Sequence, residues 1–265
     1  MITPEQLAIL MQSEENKEFK RLRNPINNRY AEYCKEVQKL ISAFHIDING
    51  TYDKDDAVHK YLLNKLNKDI NNKTDELFAF IQEKFDESID RMYDSCYNYT
   101  LRSLKRVKQT DDLTKSAMKS TTIENPWSGV HYRERLDNHR TRLEFTMKSS
   151  LNISISRGDK FRRNYAEIHK SLEHQLRALD RLFKTEIGVV GIQAQLNCYD
   201  TNGIRNISVI HESVKVKTKN DGRVCSKCKP MHNKVVKVKD AKPGINVPKF
   251  HSGCRCWVSP VIEED

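Results

Sequence analysis

Cys225-Ser226-Lys227-Cys228 and, after a basic and β-branched segment, His251-Ser252-Gly253-Cys254-Arg255-Cys256 form the stretch from which the rest of the chain is read. Tetrahedral zinc takes four soft or borderline donors, and a C-x-x-C pair supplies two of them from one tight turn. Cys225 and Cys228 are such a pair. Cys254 and Cys256 are two apart and, on an extended strand, point to one face. The spacing therefore allows a four-cysteine site or one of three cysteines and His251, with His232 a weaker fourth donor. Either set closes the coordination sphere, which makes one structural zinc ion the expected cofactor and leaves no open position for catalytic water. The plainer alternative is a set of reduced cysteines packed as small hydrophobes in a hairpin core.

The charge has a location. Between Ile204 and Trp257 stand thirteen basic residues against three acids, Glu212, Asp221 and Asp240, so the whole formal charge of +10 sits on the cysteine-bearing end. Such an asymmetry suits a polyanionic partner, most simply the backbone of double-stranded DNA met without sequence preference. The candidate contacts are Lys215, Lys217, Lys219, Arg223, Lys227, Lys229, Lys234, Lys237, Lys239 and Arg255. Four thiolates on one divalent ion would lower the charge to about +8, which is still strongly cationic.

Apolar residues make up 37% of the chain and charged ones 31%, a balance that favours partly solvated helices over a thick interior. The opening Met1-Ile2-Thr3-Pro4-Glu5 has no basic stretch leading into an apolar run, and no segment approaches the ~20 apolar residues of a membrane span. The expectation is a soluble protein made in a reducing cytosol, where clustered cysteines mean metal more often than disulfide.

Upstream, apolar residues recur at helical spacing. Phe19, Leu22, Tyr30, Tyr33, Val37, Leu40, Ile41 and Phe44 predict a helix over about 14–44, nicked near Asn24-Pro25 and ended by Ile48-Asn49-Gly50. A short helix is expected over 55–70, and a second, capped by Thr74, runs through Phe78, Phe85, Met92 and Cys96 to about Val107. Cys34 and Cys96 read as packing residues. Residues 109–126 are polar and read as a linker or hinge. Helices through Leu136, Leu143 and Met147 and through Ile168, Leu179, Phe183 and Ile187 follow, the latter breaking near Gly188 and Gly191. Past Thr201-Asn202-Gly203 the period becomes that of strands, with Ile207, Val209, Val214, Val216 and Val235 to Val238, and a hairpin turn at Lys219-Asn220-Asp221-Gly222. The expected fold is α+β: a mostly helical, elongated N-terminal and central part with a small β-rich, zinc-stabilised C-terminal module. Its divisions are 1–108, a helical arm; 109–126, a linker or hinge; 127–203, further helices; and 204–265, the basic Cys/His module.

Asp221-Gly222-Arg223-Val224-Cys225-x-x-Cys228, the basic β segment and Pro248-x-x-His251-x-x-Cys254-Arg255-Cys256 resemble the C-terminal motif of the phage Mu F-like head morphogenesis proteins, also called minor head or minor capsid proteins. Trp127, Arg157-Gly158 and Lys184-Thr185-Glu186 stand in the order that family shows. This chain departs from it in having Lys184 for Arg, Asn233 near a common Gly, and Pro248 alone for a proline pair. The resemblance implies a virion protein inside the head, assembled in the host cytoplasm. It would be associated with the portal and with capsid or scaffold proteins, and act in head morphogenesis and in the handling or ejection of packaged DNA. Two other readings compete. One is a free zinc-containing nucleic-acid-binding protein, against which stands the lack of a helix after the first cysteine pair suited to the major groove. The other is an enzyme, since some proteins of this family carry toxin or transferase-like domains. This chain shows no phosphate loop, nucleophile elbow or H-E-x-x-H motif, and a grouping of His169, Thr185 and Glu186 is too loose to count as a site. The expectation is therefore a non-enzymatic protein.

Overall fold

The computed structural model describes residues 4–48, 52–104, 111–125, 127–158, 161–202, 213–219 and 221–261. These form α1 (Pro4–Asp47), α2 (Ala57–Ser103), α3 (Asp112–Glu124), α4 (Tyr132–Ser156) and α5 (Phe161–Asn202), then β1 (Ser213–Lys217), β2 (Val235–Lys237) and β3 (Trp257–Pro260). The α+β class holds: helices dominate, and the small antiparallel sheet lies near the C-terminus.

Several elements run longer than periodicity indicates. α1 passes through Pro25 without a break. The lost amide and the ring clash that proline brings are offset by burial on both sides, at Leu22 and Ile26. α2 is one helix where two were expected. Its N-terminus is capped by Asp56, whose carboxylate accepts from the amides of Val58 and His59. Thr74 caps nothing, because its hydroxyl donates to the Ile70 carbonyl inside the helix. The polar segment expected as a hinge carries α3, begun by Asp111, which accepts from the Thr114 amide. The Asn49-Gly50 turn, strands at Ile207 and Val209, and Asn220 of the expected hairpin lie outside the described residues.

The chain divides into two compact units: the first comprises Met1–Leu22, Phe85–Tyr132 and Arg181–Asp265, the second Arg23–Lys84 and Arg133–Asp180. Each unit gathers segments remote in sequence, whereas the expected divisions followed one another along the chain. In the second unit the core is ordered by tyrosine hydroxyls. Tyr30 donates to the Leu172 carbonyl at 2.6 Å, and Tyr33 is bonded to Thr74 Oγ1 at 2.8 Å.

The first unit is built around the C-terminal half of α5. From Leu182 to Tyr199 most side chains are buried, including the polar Thr185, Glu186 and Gln195. A helix covered on every side is a core helix, and its small residues are where neighbours come closest. Gly188 and Gly191, expected to break α5, lie within it. A Cβ on Gly191 would stand 2.5 Å from Met92 Cε, and one on Gly188 would stand 2.2 Å from Lys249 Cε. Both glycines are therefore explained by approach distance, which outweighs their poor helix propensity.

The sheet has the order β2-β1-β3 with both pairings antiparallel. Val214 faces Val236 across one pair, and Val216 faces Val258 across the other. These four valines point to one face and pack with Ile192, Leu196 and Tyr199 of α5. The opposite positions, Lys215, Lys217, Val235 and Lys237, are half-buried or exposed. β1 and β2 are not joined by a tight hairpin, since residues 218–234 between them carry the first cysteine pair. Asn233 closes that connection at φ 62, a left-handed conformation that accounts for a glycine near this position in the resembled family.

Lys249 is 3% exposed and meets Glu15 at 2.7 Å, so its side chain is not free to retreat from a Cβ at position 188. Gly188→Ala is expected to lower the stability of the first unit by about 1–3 kcal/mol through overpacking. This exceeds the ~0.5–1 kcal/mol that alanine contributes in a helix interior. Thermal unfolding followed by the fluorescence of Trp127 and Trp257 measures it; an unchanged or higher midpoint would count against the packing described.

Candidate metal centre

Two turns of the same form present the donors. In the first, the Cys228 amide donates to the Cys225 carbonyl at 3.1 Å; in the second, the Cys254 amide donates to the His251 carbonyl at 3.1 Å. Gly253, at φ 73, supplies the left-handed residue of the second turn. Cys225, Cys228 and His251 have their donor atoms within 4.8 Å of one another, as do Cys228, Cys254 and Cys256. All five residues expected as ligands are thus brought together. His232 is not among them: its Nδ1 accepts from the Thr218 amide at 3.1 Å and bonds the Thr218 hydroxyl.

His251 Nε2 lies 3.1 Å from both Cys225 Sγ and Cys228 Sγ. Its Nδ1 is 2.9 Å from the Ser252 carbonyl, which can only accept, so Nδ1 carries the proton and Nε2 keeps its lone pair toward the sulfurs. This is the tautomer and backbone support typical of a metal-bound histidine. Cys228 Sγ and Cys254 Sγ are 3.7 Å apart, close to the edge of about 3.8 Å of a tetrahedron with 2.3 Å zinc–sulfur bonds.

The thiols are unlike one another. Backbone amides of Cys228 and Lys227 hold the Cys225 thiol below its ordinary value. Burial pushes the Cys228 thiol up to about 12. The Cys256 thiol donates to Cys254 Sγ, which lowers Cys254 to about 5, with help from the amides of Cys256 and Phe250, and raises Cys256. The cluster thus favours a thiolate at Cys254 and amide-supported sulfur at Cys225.

Residues outside the cluster fix the two turns. Asp221, just before the first, receives both Arg255 nitrogens at 2.7 Å, a bidentate pair that ties the loop of Cys225 to the segment between Cys254 and Cys256. On α5, the Thr185 hydroxyl donates to the Arg181 carbonyl and accepts the Gly253 amide at 3.2 Å. Glu186 accepts the Trp127 indole N–H at 3.0 Å. The Trp127 ring lies over Gly244, where a Cβ would come within 2.6 Å of it. Lys184 Nζ stands 4.4 Å from the Phe19 ring centroid. From α1, Gln12 reaches the Arg255 carbonyl and Glu15 pairs with Lys249. Thr185 and Glu186 are therefore occupied in docking the Cys/His segment. The sequence signalled them only through the order of the Lys184-Thr185-Glu186 motif, and nothing in it signalled Gln12, Glu15 or Lys249.

The basic residues fall into groups. Lys215, Lys217 and Lys237 lie on the outer face of the sheet, and Lys219, Arg223, Lys227 and Lys229 lie around the first turn. Lys234 and Lys239 are exposed beside β2. Lys217 donates to the Asn233 side chain, Lys227 to the Phe250 carbonyl, and Arg255 is taken up by Asp221.

A helical chain whose C-terminal sheet, buried helix and Cys/His turns form one packed unit defines the class. Residues 145–259 match the family model described as Phage Mu protein F like protein, and over that segment the chain is similar to that family. A search of curated proteins and a search of solved structures each gave no match. No helix among the described residues is long and apolar enough to cross a membrane.

Thr185→Val is expected to cost about 1 kcal/mol, and up to ~3 if the Gly253 amide is left unpaired, with Thr185→Ser restoring most of it. Chemical denaturation of the two variants measures the difference, and equal losses would contradict a role for the hydroxyl. The Arg255 guanidinium holds the Asp221 carboxyl well below the usual range. Its contribution is therefore complete above the ordinary value near 4 and lost as pH falls through the lowered one. Asp221→Asn should remove that acid-side dependence and make the unfolding midpoint of the first unit flatter below about pH 4.

Proposed function

We propose that this protein is a minor head protein of a phage: a structural component of the virion, held inside the head at the portal vertex, acting in head morphogenesis and in the handling or ejection of packaged DNA. The match of residues 145–259 to a head-morphogenesis family carries the coarse reading. The donor cluster, whose atoms could hold a metal ion, supports a structural metal. One zinc ion, drawn from Cys225, Cys228, His251, Cys254 and Cys256, closes the segment between the two turns and supplies a structural cross-link; no reaction is assigned to it.

The chain's own residues then do two things. The outer face of the sheet and the rim of the first turn offer Lys215, Lys217, Lys219, Arg223, Lys227, Lys229, Lys234, Lys237 and Lys239 to phosphates, while Arg255 serves the fold through Asp221. Such a surface meets DNA by charge and without reading bases. The helices provide the remaining surface for portal, capsid or scaffold proteins. The role is structural, with Thr185 and Glu186 engaged with Gly253 and Trp127.

Co-purification with assembled portal tests the central claim, and a chain that stays apart from portal in assembling heads would sink it. DNA binding by the purified chain should fall steeply between about 50 and 200 mM salt and show no preference among duplexes. Strong preference for one duplex would instead indicate a free regulator. Metal analysis of protein purified under reducing conditions should find one zinc per chain, and its removal should lower the unfolding midpoint of the first unit.

A further inference from the structure

We infer that the ion is held by Cys225, Cys228, His251 and Cys254, presented as two matching turns, and that Cys256 stays outside the coordination sphere. The inference rests on the metal reading proposed above and concerns only which donors serve it.

The pattern is C-x-x-C facing H-x-x-C. Each pair spans an i to i+3 turn closed by the same backbone bond at the same length, 3.1 Å, from Cys228 to Cys225 and from Cys254 to His251. The donors across the turns are already near ligand spacing. His251 Nε2 is equidistant from the sulfurs of the first turn, and Cys228 Sγ is 3.7 Å from Cys254 Sγ. Both turns are braced from outside, the first through Asp221 to Arg255 and the second through Gly253 to Thr185 on α5.

Cys256 belongs to no such turn. It leads directly into β3, which begins at Trp257. It also lines the cleft shared by Cys225, Cys228 and His251, so the set with Cys256 in place of Cys254 is the arrangement the experiment must separate.

Titration of the full chain with cobalt(II) under reducing conditions does this, because thiolate charge-transfer absorption counts sulfurs and the visible d–d bands report tetrahedral geometry. Wild type should bind one ion with the intensity of three thiolates. Cys256→Ser should keep that intensity, with affinity reduced by no more than the ~10–100-fold of a supporting residue. Cys254→Ser should lose about a third of the intensity and more than ~100-fold in affinity. His251→Ala should retain the thiolate absorption and shift the d–d bands. A loss of thiolate intensity in Cys256→Ser overturns the assignment, as does an unchanged spectrum in His251→Ala, which would mean a four-cysteine site. Far-UV circular dichroism checks that each variant keeps its helices. If Cys254→Ser fails to fold, Cys256→Ser still decides the matter, since retention of intensity is the specific expectation. A wild-type chain that takes up neither cobalt nor zinc defeats the metal reading itself, a result distinct from failure of the ligand assignment.

Discussion

The constraint on which the first unit depends is the burial of α5 on all its sides between Leu182 and Tyr199. A helix in that position must satisfy its polar side chains within the protein and must let its neighbours come close. The chain meets the first demand by giving Thr185 the Gly253 amide and Glu186 the Trp127 indole. It meets the second with Gly188 and Gly191, against which Lys249 and Met92 lie. Each of these contacts reaches into the loop that carries His251 and Cys254 or into the helices beside it. The same helix that forms the core therefore also sets where half of the donor cluster stands.

This changes how the C-terminal segment is held. From composition it looks too poor in large apolar residues to fold without metal. Its valines in fact share a core with Ile192, Leu196 and Tyr199, and its loops are pinned by Glu15, Gln12, Trp127 and Thr185. It is an extension of a helical core, to which a cation held by the cluster would add one further cross-link. Buried Lys249 gives that attachment specificity more than stability. The desolvation of an ion pair offsets much of its attraction, and removal of one partner leaves a buried charge. The basic residues gain a fixed placement from the same arrangement, because the alternation of β1 turns Val214 and Val216 inward and Lys215 and Lys217 outward.

Legibility differed by the range of the interaction. The valine alternation of β1 and the helical stripes through Tyr33 and Phe85 are local patterns, and the structure bears them out; the C-x-x-C and H-x-x-C spacings are local too, and each spans one turn. Pro25, Thr74, Gly188 and Gly191 were misread as interruptions for one reason. Intrinsic propensity measures the cost of a residue in an isolated helix, and packing of the flanking turns exceeds that cost here. β3 was missed because Trp257-Val258-Ser259-Pro260 is short and ends in proline, and gains strand character only by pairing with β1.

What the residue order settles alone is the kind of donors available, their grouping in two spaced pairs, and the concentration of positive charge at one end. These properties need no partner, because each is carried by neighbours a few positions apart. The meeting of Cys225 and Cys228 with His251 and Cys254, the service of Thr185 and Glu186 to that meeting, and the engagement of Arg255 with Asp221 come from the folded chain. They depend on side chains tens of residues apart being brought within hydrogen-bond reach by a buried helix, a proximity that linear spacing does not encode.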